Sequence, residues 1–171
     1  MNILNKTAIF AAALALAACA QQNDPYADGY GAGAGAGAGA GMAGGANDPS
    51  SPAYFQQNVG DRVHFAVDQS GLSPEAKATL DAQANWLNNN PEYTATIEGH
   101  ADEQGTREYN LALGARRANS AQEYLISRGV AQNRLSVISY GKERPIEICS
   151  TEACYTKNRR AVTVVAAGLN S

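Results

Sequence analysis

The chain is poor in the side chains that build metal centres and covalent active sites. Its 171 residues include three cysteines and two histidines, His64 and His100, and no two cysteines stand in a Cys-x-x-Cys spacing. A zinc site draws three or four ligands from such residues, so this supply excludes the usual cages. No side chain stands in a recognised nucleophile setting either, and the expectation is a chain without catalysis, cofactor or metal. An excess of one charge is also missing, since 13 Lys and Arg face 16 Asp and Glu. The imbalance lies in Asp24, Asp28 and Asp48, which leaves the remainder close to neutral and without the basic field that nucleic acid requires. Long apolar runs are absent as well. The one from Ala8 to Ala18 falls short of the ~20 residues a membrane-crossing helix needs, so the mature chain is expected not to span a bilayer.

What that short run does resemble is a signal peptide over residues 1–18: Lys6 precedes it, and it stops at the small residues Ala17, Ala18 and Cys19. The sequence Leu16-Ala17-Ala18-Cys19 resembles the bacterial lipobox, which implies that Cys19 is lipid-modified and becomes the mature N-terminus. Each buried methylene of an acyl chain adds ~0.8 kcal/mol, so several chains anchor stably. By the same resemblance an aspartate after the cysteine would retain the chain at the inner membrane. Ala20 and Gln21 stand there instead, which implies the outer membrane with the domain facing the periplasm. Lipidation of Cys19 leaves Cys149 and Cys154 as a pair that an oxidising compartment would join. The loop they close is short, and the entropic gain of ~2 kcal/mol is modest, so the bond is expected to fix the shape of a turn.

Residues 19–54 are mostly Gly, Ala, Asn, Asp and Pro, with Gly-Ala alternation from Gly31 to Gly41. That composition builds no core and predicts a tether, whose ~35 residues span roughly 30 Å on average and about 115 Å when drawn out. Residues 55–171 suit one domain. Val63 to Val67 reads as a strand, and Ser73-Pro74-Glu75 then supplies an N-cap, a first-turn proline and an acidic residue, so a helix begins there. Ala76, Leu80, Ala84 and Leu87 recur at helical spacing until Asn88-Asn89-Asn90-Pro91. Thr94 to Glu98 reads as a second strand. Thr106 caps a second helix, with Leu111, Ala115, Ala118 and Leu125 as its expected apolar face and Gly129 as its stop. Leu135 to Tyr140 and Ala161 to Val165 read as the last strands, with the cysteine pair in the loop between them. The β-α-β-α-β-β order predicts an α/β fold, a small mixed sheet with helices packed on one face.

The second strand's end and the helix after it read Glu98-Gly99-His100-Ala101-Asp102-Glu103-Gln104-Gly105-Thr106-Arg107-Glu108-Tyr109-Asn110, then Leu113-Gly114-Ala115-Arg116-Arg117-Ala118. Val63-His64-Phe65 with Asp68 after it, Ser139-Tyr140-Gly141-Lys142-Glu143 and Lys157-Asn158-Arg159-Arg160-Ala161 extend the string. Together they resemble the outer-membrane-protein-A-like peptidoglycan-binding domains, and in particular their lipid-anchored members, over nearly all of 55–171. The resemblance implies non-covalent binding of a peptidoglycan stem peptide at meso-diaminopimelate, whose free end carries an ammonium beside a carboxylate. Matched residue by residue, Asp102 would take the ammonium and Arg117 would take the carboxylate with its fork. Thr106, Asn110 and Arg117 share one side of the helix, whereas Arg116 points about 100° away from Arg117. Asp68 matches a family position near the groove, though a turn-forming aspartate reads equally well. Asn158 and Arg160 match a position at the last strand, where the arginine would close the groove. The resemblance also implies partnership with TolB and other Tol proteins in envelope integrity and in constriction at cell division. The rival reading, a lipid-anchored wall hydrolase with His100 as a base beside Asp102, lacks a nucleophile and a metal cage.

Overall fold

The computed structural model describes residues 45–168, so Cys19, the 1–18 segment and the Gly-Ala tract lie outside the described residues. Within them, strands β1 (Arg62–His64), β2 (Tyr93–His100), β3 (Leu135–Gly141) and β4 (Arg160–Ala167) form one mixed sheet. The spatial order is β1-β4-β2-β3, with β3 parallel to β2 and β4 antiparallel to both its neighbours. Helices α1 (Pro52–Tyr54), α2 (Pro74–Asn89), α3 (Arg107–Ser127) and α4 (Glu152–Asn158) complete the described chain. A parallel strand pair needs a crossover, and α3 supplies it between β2 and β3.

Alternation along the strands decides which face is covered. Tyr93, Ala95 and Ile97 of β2 point inward with Val63, Leu135 and Ala161, and they meet Leu80, Ala84 and Leu87 of α2 and Ala118, Ala121 and Leu125 of α3 in one core cluster. Both long helices therefore lie on one face. Leu80, Leu87, Ile97 and Leu125 are fully buried, each worth roughly 1.5–3 kcal/mol against exposure. The other face turns Thr94, Ser136, Ile138 and Val164 to solvent. The two helix starts follow the predicted chemistry, because Ser73 Oγ accepts from the Ala76 N–H at 3.1 Å and Thr106 Oγ1 from the Tyr109 N–H at 3.2 Å.

Several features depart from the sequence reading, among them β1, which ends at His64 where a strand to Val67 was expected. The ordered domain begins before Phe55: Ser51 caps α1, a π-helical turn (Phe55–Gly60) follows, and Trp86 Nε1 donates to Pro49 O at 2.7 Å. The segment between β3 and β4, expected as a loop holding the cysteine pair, contains a helix, α4, which includes Cys154. The inner face of α3 is also shifted, since Leu111 is 44% exposed while Asn110, Leu113, Gly114, Arg117 and Ala118 are buried.

Candidate functional site

A groove of about 510 Å³ lies between the turn after β1, the loop after β2 and the first turn of α3. Val67 and Asp68 form one wall, and Asp102, Gln104, Thr106 and Tyr109 form the other. Asp102 is 7% exposed. Its Oδ2 accepts from Arg159 Nη1 at 3.1 Å and its Oδ1 from the Gln104 N–H at 3.2 Å. An ionised carboxylate has about four lone-pair sites, so Asp102 keeps acceptor capacity toward the groove.

Asp68 lines the same groove. Its φ of 55° places it in the left-handed region, which costs a residue with a Cβ roughly 1 kcal/mol or more and which aspartate tolerates better than most. The surroundings hold the conformation: Tyr109 Oη donates to Asp68 Oδ1 at 3.3 Å, and the carbonyls on either side of the turn are captured by Arg117. Arg117 Nη2 donates to Ala66 O at 3.1 Å, Nε to Gln69 O at 2.8 Å and Nη1 to His100 O at 2.9 Å. One guanidinium thus ties the Asp68 turn to the end of β2, from which the Asp102 loop departs. Arg117 is fully buried and lies 5.3 Å from the Phe65 ring centroid. Burial lowers its pKa to about 10, against the pull of Asp102, so it stays charged at neutral pH.

The other predicted residues separate. Thr106 lines the groove as the cap of α3. Asn110 is buried beneath it, and its Nδ2 donates to Gln104 O at 2.7 Å, which pins the loop. Arg160 does not line the groove. It lies opposite His64 on β1 and donates to Asn158 O at 3.3 Å and Arg144 O at 3.1 Å. The arginine that reaches Asp102 is its neighbour Arg159. Arg159 is the C-cap residue of α4 and Arg160 the first residue of β4, so which of the two reaches Asp102 depends on that junction, which the motif alone does not settle. Burial works against the charge on Arg159, but its bonds to Glu152 and Asp102 outweigh it and hold its pKa above the ordinary value. The groove's apolar part, Val67 and Tyr109, also went unread, although both are about half exposed beside the motif.

His100 is buried, stacks on Tyr140 with ring centroids 5.5 Å apart, and has no hydrogen bond at either ring nitrogen. Burial, with Arg160 and Arg144 nearby, lowers its pKa to about 4. Among the described residues, no three His, Cys, Asp or Glu side chains converge as a metal site would require. What the groove offers is a pair of carboxylates beside the N–H groups of a helix start, with a cation beneath, an arrangement suited to a small zwitterion.

Comparison with known proteins fits this geometry. A family model described as the OmpA family matches residues 64–159. The chain belongs to the OmpA family. Within it, this OmpA-family chain is 53% identical over 152 residues to the peptidoglycan-associated lipoprotein of Rhizobium meliloti (strain 1021), covering 89% of the chain and 82% of that relative. It is 53% identical over 124 residues to the protein of the same name from Brucella melitensis, covering 72% and 74%. Among solved structures, the peptidoglycan-associated lipoprotein of Burkholderia pseudomallei superposes with a TM-score of 0.63 at 36% identity, over 71% of this chain and 98% of that one. The C-terminal domain of Helicobacter pylori MotB shares the fold, with a TM-score of 0.59 at 22% identity over 64% of this chain and 87% of that one. Cys149 and Cys154 are joined by a disulfide in this OmpA-family domain.

Proposed function

We propose that the chain is an outer-membrane lipoprotein, anchored through Cys19 with its domain in the periplasm, that binds peptidoglycan without covalent chemistry. The observation that carries the reading is the juxtaposition of Asp102 and Asp68 in one groove, in a chain whose relatives bear the name peptidoglycan-associated lipoprotein. The ligand is the diaminopimelate end of a stem peptide. Asp102 accepts from its ammonium, with Asp68 adding negative charge in the same groove. The ligand's carboxylate is assigned to Arg117, whose guanidinium lies buried beneath the groove lining and, after three bonds to carbonyls, keeps two of its five N–H groups. Thr106 and Asn110 keep the loop and the helix start in register with these groups. The binding joins outer membrane and wall, in partnership with TolB and the other Tol proteins, to maintain envelope integrity and to draw the membrane inward at division.

Calorimetry of diaminopimelate and lysine stem peptides against the purified chain tests the assignment. Lysine keeps an ammonium for Asp102 but lacks the second carboxylate, so it leaves Arg117 donors unpaired at a cost of about 1–3 kcal/mol, roughly a tenfold to hundredfold preference. Asp102→Asn should weaken both ligands. Arg117→Lys, which keeps the charge and loses the fork, should erase most of the preference. If folded Arg117→Lys keeps the full preference, the carboxylate is recognised by another group. Clearing of a peptidoglycan gel by the purified chain would instead favour the hydrolase reading.

A further inference from the structure

The Asp102 loop is clamped from behind by a segment that does not itself line the groove. Two consecutive residues at the end of α4 reach it. Asn158 Nδ2 donates to Glu103 Oε1 at 2.6 Å, and Arg159 Nη1 donates to Asp102 Oδ2 at 3.1 Å. Arg159 is in turn held by α4, through Thr156 Oγ1 at 3.0 Å and through Glu152, while its Nε donates to Phe65 O at 3.2 Å. Asn158 also closes the preceding loop, accepting from the Ile146 and Glu147 N–H groups at 2.8 and 3.2 Å and donating to Glu147 O at 2.8 Å. The Cys149–Cys154 bond joins these two parts, because Cys149 ends the loop that Asn158 gathers and Cys154 sits in α4 between Glu152 and Thr156.

A seven-residue helix without a side-chain cap bond is not stable by itself. Its first turn is exposed, and the disulfide is the covalent constraint on its position. We infer that the Cys149–Cys154 bond is a positioning element of the binding groove: it fixes α4, α4 fixes Arg159, and Arg159 aims the Asp102 carboxylate at the ligand's ammonium. The cysteines act on affinity through two intermediates and touch no ligand. The inference rests on the peptidoglycan reading for its ligand, but its structural half, control of the Asp102 loop by the disulfide, stands independently.

The test compares the purified chain oxidised and reduced with a phosphine, together with Cys149→Ser/Cys154→Ser, by calorimetry with a diaminopimelate stem peptide and by amide hydrogen exchange. Loss of preorganisation should weaken binding about threefold to tenfold in the reduced and serine forms, without abolishing it. The Gln104 N–H, bonded to Asp102 Oδ1, should exchange faster in both, while amides in the β2–β4 ladder should not change. In an Arg159→Lys background, which breaks the fork between Asp102 and Glu152, reduction should make no further difference to affinity, because both changes act on one link. A lower melting temperature on reduction with unchanged affinity and unchanged Gln104 exchange would overturn the inference and leave the disulfide a plain staple. If the oxidised chain binds no stem peptide, the peptidoglycan reading fails, and the Gln104 exchange still decides whether the disulfide positions Asp102.

Discussion

Arg117 shows how much a single residue's chemistry depends on where its hydrogen bonds end. In the sequence the family resemblance paired it with Asp102, and helix geometry added only that Arg116 and Arg117 cannot both serve one site. Its three backbone partners were not legible, since they come from residues 66, 69 and 100 and depend on the tertiary path. Arg117→Met removes donors from three carbonyls and should destabilise the domain by roughly 3 kcal/mol or more, measured by denaturant unfolding. A loss below about 1 kcal/mol would mean that water takes over these carbonyls. His100 gives a pH test at the same scale. Above about pH 6.5 its imidazole is neutral in folded and unfolded chains alike, and it contributes no pH dependence. Between about 6.5 and its folded pKa of about 4, the unfolded chain takes up a proton that the folded chain refuses. Burial, Arg160 and Arg144 outweigh Glu98, which lies 3.7 Å from Nε2. Stability should therefore fall across that window, by up to roughly 3 kcal/mol, and His100→Phe should flatten the fall when unfolding is followed against pH.

Among the elements, α2 and α3 were readable because cap, proline and apolar spacing agree, whereas α4 and the helical turn at 52–60 were not. The stretch Glu152–Asn158 has no apolar periodicity and is held by Asn158, Arg159 and the disulfide, all tertiary or covalent constraints. The 52–60 turn did carry a signal, Ser51-Pro52, the same start that opens α2. The Gly-Ala composition before it obscured that start. Contact between α3 and the sheet depends on two glycines that the motif contains for packing rather than binding. A Cβ on Gly114 would meet Ser139 Oγ and stand 2.8 Å from Gly99 O, and one on Gly99 would strike the Gly114 carbonyl. Gly114→Ala should therefore push α3 off β2, at a cost of roughly 2 kcal/mol, and tilt Asn110 and Arg117 with it. Unfolding that matches wild type to within ~0.5 kcal/mol would show that the helix shifts freely at this point.

At the scale of the whole molecule, attachment to lipid and attachment to wall are assigned to different parts of the chain, so they should separate by mutation. The groove and the described groups that position it lie within residues 45–168, whereas the expected anchor, Cys19, lies outside the described residues. A thiol is required for the acyl linkage, and serine supplies none. Cys19→Ser should therefore yield a soluble periplasmic product or an uncleaved precursor, either of which leaves the outer-membrane fraction. The same variant, purified, should still cosediment with isolated sacculi, because no residue of the groove has changed. It should do so more weakly than the lipidated chain displayed on vesicles. Many copies on one surface facing one polymer rebind before they escape, and such avidity exceeds single-site affinity by ~10²–10⁴ when the geometry allows several contacts at once. Fractionation and cosedimentation thus answer separate questions. Normal outer-membrane recovery of Cys19→Ser would remove the lipid anchor from the account. Failure of the folded variant to reach the sacculus pellet would show that the groove alone does not hold the wall.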